Sequence, residues 1–210
     1  MLEAIYNRKS VRKFKDDVVP REDILKLIEA ATQAPSPKHQ QNWHFVVIQD
    51  KKLINEMADI VQKRHEELGQ LAKTEKDQKI HMSVIKYYTA FRHAPVVVVV
   101  YASPYKMIEY KILQENDAPQ DILDVLVSPQ SGAQGIGAAV ENFLLAATEM
   151  GYGTCYMTGP THSKSEIEAL INFEKPNFEL MSMIALGVAQ EETAPKPPRK
   201  PIEDVVTFID

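Results

Sequence analysis

Pro95-Val96-Val97-Val98-Val99-Val100-Tyr101-Ala102 is the most apolar stretch of the chain. Wound as a helix it would reach only about 12 Å, against roughly 30 Å of bilayer hydrocarbon, so it does not span a membrane. Its run of β-branched residues predicts a central strand instead. Just upstream, Ile80, Val84, Tyr87, Tyr88 and Phe91 keep helical spacing up to the break at Ala94-Pro95. Farther back, Pro20 opens a helix with Ile24, Leu27, Ile28 and Ala31 on its inner face and Glu22 and Asp23 in its first turn. A polar loop from Ala34 to Asn42, broken by Pro35 and Pro37, leads into the strand Phe45-Val46-Val47-Ile48, a position where functional residues gather. Asp50 then caps a helix with Leu53, Ile54, Met57, Ala58 and Val61 inside, and the charge-rich stretch from Lys63 to Lys79 reads as solvated, helical or not.

Downstream, residues 103–129 contain Pro104, Pro119 and Pro129, show no clean period and predict short helices that cover something. Ser128 as cap and Pro129 in the first turn start the strongest helix, with Ala133, Ile136, Val140, Phe143, Leu144 and Ala147 in register and Gly151 as its stop. Gly135 and Gly137 lie inside it at a cost of about 1 kcal/mol each relative to alanine, so with Ala138 and Ala139 they predict another backbone close by. Spacing leaves two readings open, core packing within one subunit and a subunit interface. Gly153 to Met157 reads as a strand and Gly159-Pro160 as its turn. Ser163 with Glu166 forms a capping box for the helix carrying Ile167, Leu170 and Ile171. Met181 to Leu186 is the last buried strand. Ala194 to Pro201 is polyproline-like, and the apolar segment Val205 to Ile209 after it has no core of its own, so it is expected to lie on the body or on a partner.

The chain has 210 residues, 44% of them hydrophobic and 25% charged, with its Pro-rich region near the end; one globular domain, 1–210, is expected. A net charge of −5 argues against nucleic-acid binding. Glu3 stands where a signal peptide would be basic, and no long apolar stretch follows, so a cytoplasmic protein is expected. No two of the six histidines have the i,i+4 spacing of a helical metal site, so no metal is expected. Cys155 sits in an apolar strand, where a free thiol behaves as a small hydrophobe. Gly135-x-Gly137 has Val140 where the third glycine of a dinucleotide fingerprint belongs, which disfavours a doubly wound dehydrogenase. What stands out is basic charge at both ends of an acidic chain: Arg8, Lys9 and Arg12 around Ser10, and Lys196, Arg199 and Lys200. These are donors suited to a phosphate, with solvated basic runs as the alternative reading.

Arg8-Lys9-Ser10-Val11-Arg12-Lys13-Phe14 resembles the opening motif of the FMN-dependent nitroreductase family. Ala34-Pro35-Ser36 through Gln41-Asn42-Trp43-His44-Phe45 is similar to the family's loop-to-strand motif. Glu141-Asn142-Phe143-Leu144-Leu145-Ala146-Ala147 with Gly151-Tyr152-Gly153-Thr154 resembles its long central helix and following turn, and Leu186-Gly187 and Pro198-Arg199-Lys200-Pro201 continue the match in order. The loop departs from the pattern at His39, where the family usually has Asn, and at Asn42, where it has Pro.

The resemblance implies an α+β fold: a mainly antiparallel central sheet flanked by helices, in a homodimer that exchanges a C-terminal arm, here about 191–210. It also implies FMN at the subunit interface. Arg8 and Arg199 would take the phosphate, Ser10 and Lys9 phosphate or ribityl oxygens, and Arg12 the pyrimidine edge. Pro35, Ser36, Pro37 and His39 would approach the flavin from the other subunit, with Met157, Thr158 and Gly159 near N5. The implied activity is ping-pong reduction of nitroaromatic, quinone or related acceptors by NADH or NADPH, hydride passing through flavin N5. The variable stretch 103–129 would cover the pocket, with Tyr105, Met107 or Tyr110 touching substrate. Two alternatives stand beside this: a flavin-binding sensor or carrier, and a member with divergent chemistry such as dehalogenation, ring oxidation or flavin fragmentation.

Overall fold

The computed structural model describes residues 2–190 and 196–209, so the start of the expected arm, 191–195, lies outside the described residues. The valine run forms β2 (Val96–Ala102), every residue of it buried. It pairs antiparallel with β1 (Trp43–Ile48) on one side and with β4 (Glu179–Gly187) on the other, and β4 pairs antiparallel with β3 (Gly153–Met157). The sheet order is therefore β1-β2-β4-β3. Side chains alternate across a strand. Val97, Val99 and Tyr101 enter one apolar core, and Val96, Val98, Val100 and Ala102 enter the other. A strand covered on both faces can be apolar at every position, which is why this run contains no polar alternation.

The first face is covered by α3 (Lys51–Gly69) and α9 (Lys164–Ile171), through Ile54, Met57, Ala58, Val61 and Ile167, with Phe91 from the turn before β2. The second is covered by α2 (Arg21–Thr32) and the long α8 (Ser131–Glu149), through Ile24, Leu27, Ile136, Val140, Phe143 and Leu144. α2 and α8 are tied by Asn142 Nδ2, which donates to Ala30 O at 3.3 Å, and Tyr152 OH donates to Asp23 Oδ2 at 2.7 Å. That bond, followed by Lys26, holds the Asp23 carboxyl below its ordinary range. The remaining helices are α1 (Leu2–Asn7), α4 (Glu75–Ser83), α5 (Ile85–Tyr88), α6 (Ile108–Glu115) and α7 (Gln120–Val127). Among the described residues no helix is long and apolar enough to cross a membrane.

The stretch 63–79 is largely exposed, as expected, and it is mostly helical: α3 runs on to Gly69 with His65 buried, and Thr74 caps α4. Several local expectations are corrected. The helical spacing of 80–91 is divided between α4, α5 and a 3₁₀ turn, Ala90–His93. Ser128 and Pro129 do not open α8; Ser128 closes α7, and Gln130, in the left-handed region at φ 49°, precedes α8. Ser163 makes no capping bond to α9, and its hydroxyl is buried without a partner. Of the two places expected for Val205 to Ile209, the body and a partner, the chain's own body is not the one seen, since Phe208 and Ile209 are 82% and 95% exposed.

Candidate functional site

The N-terminal basic segment meets the free edge of β3 at one point. After α1, Ser10 bridges in parallel to Thr154, and Val11 N donates to Thr154 O at 2.8 Å. Phe14 then bridges to Ala189, and Val11 packs over Gly153. This backbone pairing fixes where the charged side chains sit. Arg8 is half-buried, and its Nε stands 3.3 Å from Glu141 Oε1 of α8. The Arg12 guanidinium carbon lies 5.3 Å from the centre of the Tyr87 ring, a cation–π distance. Burial pushes the Cys155 thiol up, while the charge of Arg12 and a hydrogen bond with Ser10 pull it back. Cys155 is therefore a packed, protonated thiol facing the basic segment, as its apolar strand suggested.

β3 ends at Met157, which is buried; Thr158 is exposed and Gly159 begins a 3₁₀ turn through Ser163. A Cβ at Gly159 would run into the Tyr88 ring, so a side chain there would displace it. Tyr88 is in turn packed against His65 and His162, with ring centres 5.3 and 5.5 Å away. Burial, the largest influence, keeps the His162 imidazolium disfavoured. The turn is thus backed by close-packed rings, which hold its backbone amides in place.

The second group of expected residues gathers at the start of α8. A Cβ on Gly135 would stand 3.0 Å from Pro37 Cδ and 3.7 Å from Pro35 O, and one on Gly132 would stand 2.9 Å from Tyr105 Cβ. Gly135 is therefore explained by close packing inside the chain. Gly137 is not, because a Cβ there would meet nothing within 4 Å. The loop itself is unusual: Lys38, His39 and Gln41 have φ of 49°, 52° and 45°. Left-handed backbone costs a side-chain-bearing residue roughly 1–2 kcal/mol, so surrounding bonds must hold the loop in that form. Ser36 Oγ accepts from Gln41 N at 2.7 Å, and His39 N donates to Ser36 O at 2.9 Å. Lys38 Nζ reaches both Glu109 carboxylate oxygens of α6, at 2.6 and 2.8 Å, and this pairing holds the Glu109 carboxyl low. Beside the loop lies a cavity of about 440 Å³ lined by Asn42, Tyr105, Met107, Tyr110 and Met181, with Ser131 and Gly132 of α8.

Within one chain the sequence-derived candidates therefore fall into two groups. The segment of Arg8, Lys9, Ser10 and Arg12 is bridged to β3 at Ser10, and β3 leads to Met157, Thr158 and Gly159; Pro35 and Pro37 pack against Gly135 of α8, in the loop with Ser36 and His39, while Tyr105, Met107 and Tyr110 line the neighbouring cavity. Arg199 is exposed, but its tail is anchored nearby, since Lys196 Nζ donates to Ile5 O at 3.2 Å and Tyr6 O at 2.8 Å at the end of α1. Arg199 follows three residues after that anchor. The donor set of guanidinium forks, an ammonium, a hydroxyl and backbone amides suits a phosphate-bearing cofactor. Sequence reasoning missed Glu141, Lys38, Gln40 and Glu109. Pairs such as Lys38 with Glu109 lie 71 positions apart and leave no periodic signal. Among the described residues no group of three or more His, Cys, Asp or Glu could hold a metal ion.

The family model described as the nitroreductase family matches residues 5–188. A putative NADH dehydrogenase/NAD(P)H nitroreductase of Archaeoglobus fulgidus is 28% identical over 193 residues, covering 91% of this chain and 86% of its own length. The crystal structure of a BluB-like flavoprotein from Clostridium difficile 630 is 40% identical, with a TM-score of 0.92 over 100% of this chain and 98% of that one. A nitroreductase with bound FMN from Bacteroides fragilis shares the fold, with a TM-score of 0.73 at 22% identity over 100% of this chain and 98% of its own.

Proposed function

The chain belongs to the nitroreductase family, and from that membership we propose that it is an FMN-dependent oxidoreductase that uses NADH or NADPH to reduce nitroaromatic, quinone or related acceptors. The observation that carries this reading is that the basic N-terminal segment is tied to β3 at Ser10, which bridges to Thr154, and the same strand ends at the Met157–Gly159 turn. Bound FMN supplies a centre that accepts hydride at N5 and passes it on. The chain's own residues bind and tune it. Arg8 and Arg199 hold the phosphate, with Lys9 and Ser10 on phosphate or ribityl oxygens. Arg12 supplies a fixed positive charge for the pyrimidine edge, where reduction places negative charge. Backbone amides of the turn at Thr158 and Gly159 serve the N5 side.

The site is completed by a second copy of the chain, whose Pro35–His39 loop brings the other wall. Three features support a homodimer: Gly137 of α8 faces open space, Phe208 and Ile209 are 82% and 95% exposed, and Leu2 and Tyr6 of α1 are exposed as well. The basic segment tied to β3 and the Pro35–His39 loop packed on α8 are also two separate groups within one chain.

Anaerobic addition of NADH or NADPH tests the reading. The flavin absorbance is expected to bleach within seconds and to return when a quinone is added. Flavin that stays oxidised under both donors would favour a sensor or carrier. A member with divergent acceptor chemistry is the second reading, supported by the 40% identical relative being described as a BluB-like flavoprotein. Its mark is bleaching by NAD(P)H with no turnover of nitroaromatics or quinones.

A further inference from the structure

The left-handed loop is fastened to the covering segment by one side chain. Gln40 Nε2 donates to Lys106 O at 2.6 Å, and Lys106 N donates to Gln40 Oε1 at 2.9 Å. A single carboxamide thus satisfies both backbone groups of Lys106, as a neighbouring strand would. Lys106 lies between Tyr105 and Met107, and both of these line the cavity. Tyr105 is also pressed against α8 where Gly132 leaves room for its Cβ. Gln40 itself follows His39 and precedes Gln41, both in the left-handed region, so the conformation that the loop bonds maintain is also what aims the carboxamide. The Lys38–Glu109 ion pair joins the same two segments one step outward. Both of its side chains are about half exposed, so it is a salt-screened contact.

We propose that Gln40 is a positioning residue for the acceptor pocket: its carboxamide clamps the backbone of Lys106 to the loop of residues 37–42, so that Tyr105 and Met107 keep their places in the cavity wall and the wall and the loop move as one unit. This rests on the proposed oxidoreductase function and on taking the cavity, which Tyr105, Met107 and Tyr110 of the covering stretch line, as its acceptor pocket. Gln40 is assigned no contact with the reacting groups; it acts through the segment it holds. The clamp also gives residue 40 a part in acceptor preference, since the width of the cavity depends on where the segment of residues 104–107 is pinned.

The test compares the purified wild-type protein with Gln40→Ala, Gln40→Glu and Glu109→Gln. Hydrogen exchange at the Lys106 amide is the readout that does not depend on catalysis. Lys106 is exposed, so its protection comes from Gln40 Oε1. Gln40→Ala is expected to speed its exchange at least ~10-fold, whereas Gln40→Glu, which keeps an acceptor for that N–H, retains most of the protection. In steady-state reduction of 1,4-benzoquinone, Gln40→Ala is expected to raise KM about 5–10-fold with kcat within about twofold, the pattern of lost pocket preorganisation. Glu109→Gln is expected to change both readouts by less than about twofold. Unchanged Lys106 exchange in Gln40→Ala overturns the clamp. Faster exchange with unchanged KM overturns the positioning role. A wild-type protein that holds no flavin refutes the functional reading alone, and the exchange result still judges the clamp.

Discussion

Arg8→Ala is expected to purify as a folded protein that is nearly colourless, and Arg199→Ala to do the same. Each removes a planar cation from the phosphate end of the proposed site. A charge-assisted hydrogen bond to phosphate is worth about 1.5–3 kcal/mol, which weakens FMN binding roughly 10- to 150-fold per residue. Arg8→Lys keeps the charge and loses the fork, so intermediate flavin content is expected. Glu141→Gln separates this account from simple disruption of the N-terminus. Glu141 pairs with Arg8 Nε at 3.3 Å, so a surface ion pair is lost in both Arg8→Ala and Glu141→Gln, yet only the first removes the phosphate donor. Glu141→Gln is expected to keep its flavin. The flavin-to-protein absorbance ratio of the purified variants is the measurement, and a full complement of FMN in both arginine variants overturns the phosphate assignment.

Phe143→Ala is expected to cause a large loss of stability. Phe143 is fully buried in the core between α8 and the sheet, with Leu27, Val98 and Ile184 in the same cluster. Its removal costs about 3–5 kcal/mol, transfer and cavity terms together. In a chain of this size that lowers the melting temperature by roughly 10 °C. Leu145→Ala, on the half-buried side of the same helix, is the comparison and is expected to cost much less. Equal melting temperatures for Phe143→Ala and the wild type, read by thermal denaturation, would contradict the assignment of this face of α8 to the core.

The sheet was legible because its signal is dense. Val96 to Val100 is apolar at every position, which only a strand covered on both faces allows, and the inner faces of α2, α3 and α8 repeat at helical spacing. The start of α8 was misread because the residues that commonly start a helix, Ser128 and Pro129, here lie at the end of α7, with only the left-handed Gln130 between them and α8. Ser163 and Glu166 have the spacing of a capping box, yet the serine hydroxyl is buried at the end of the 3₁₀ turn and cannot serve α9. For the candidate site, the ordered motifs gave Arg8, Ser10 and the Pro35–His39 loop. The clamp of Gln40 on Lys106 joins residues 66 positions apart through one carboxamide, and the three left-handed residues that aim it carry no glycine to mark them. Such contacts are set by tertiary packing, which local pattern does not encode.

The central claim is that the basic segment tied to β3 is a cofactor site. The most direct measurement is the near-ultraviolet and visible absorbance spectrum of the purified protein, followed by heat release and identification of any chromophore, with added FMN titrated into whatever fraction is colourless. A flavin doublet, with FMN recovered in the supernatant, is the expected result. A colourless protein that also fails to bind added FMN would contradict the claim, and Arg8, Arg12 and Arg199 would then be solvated surface charges.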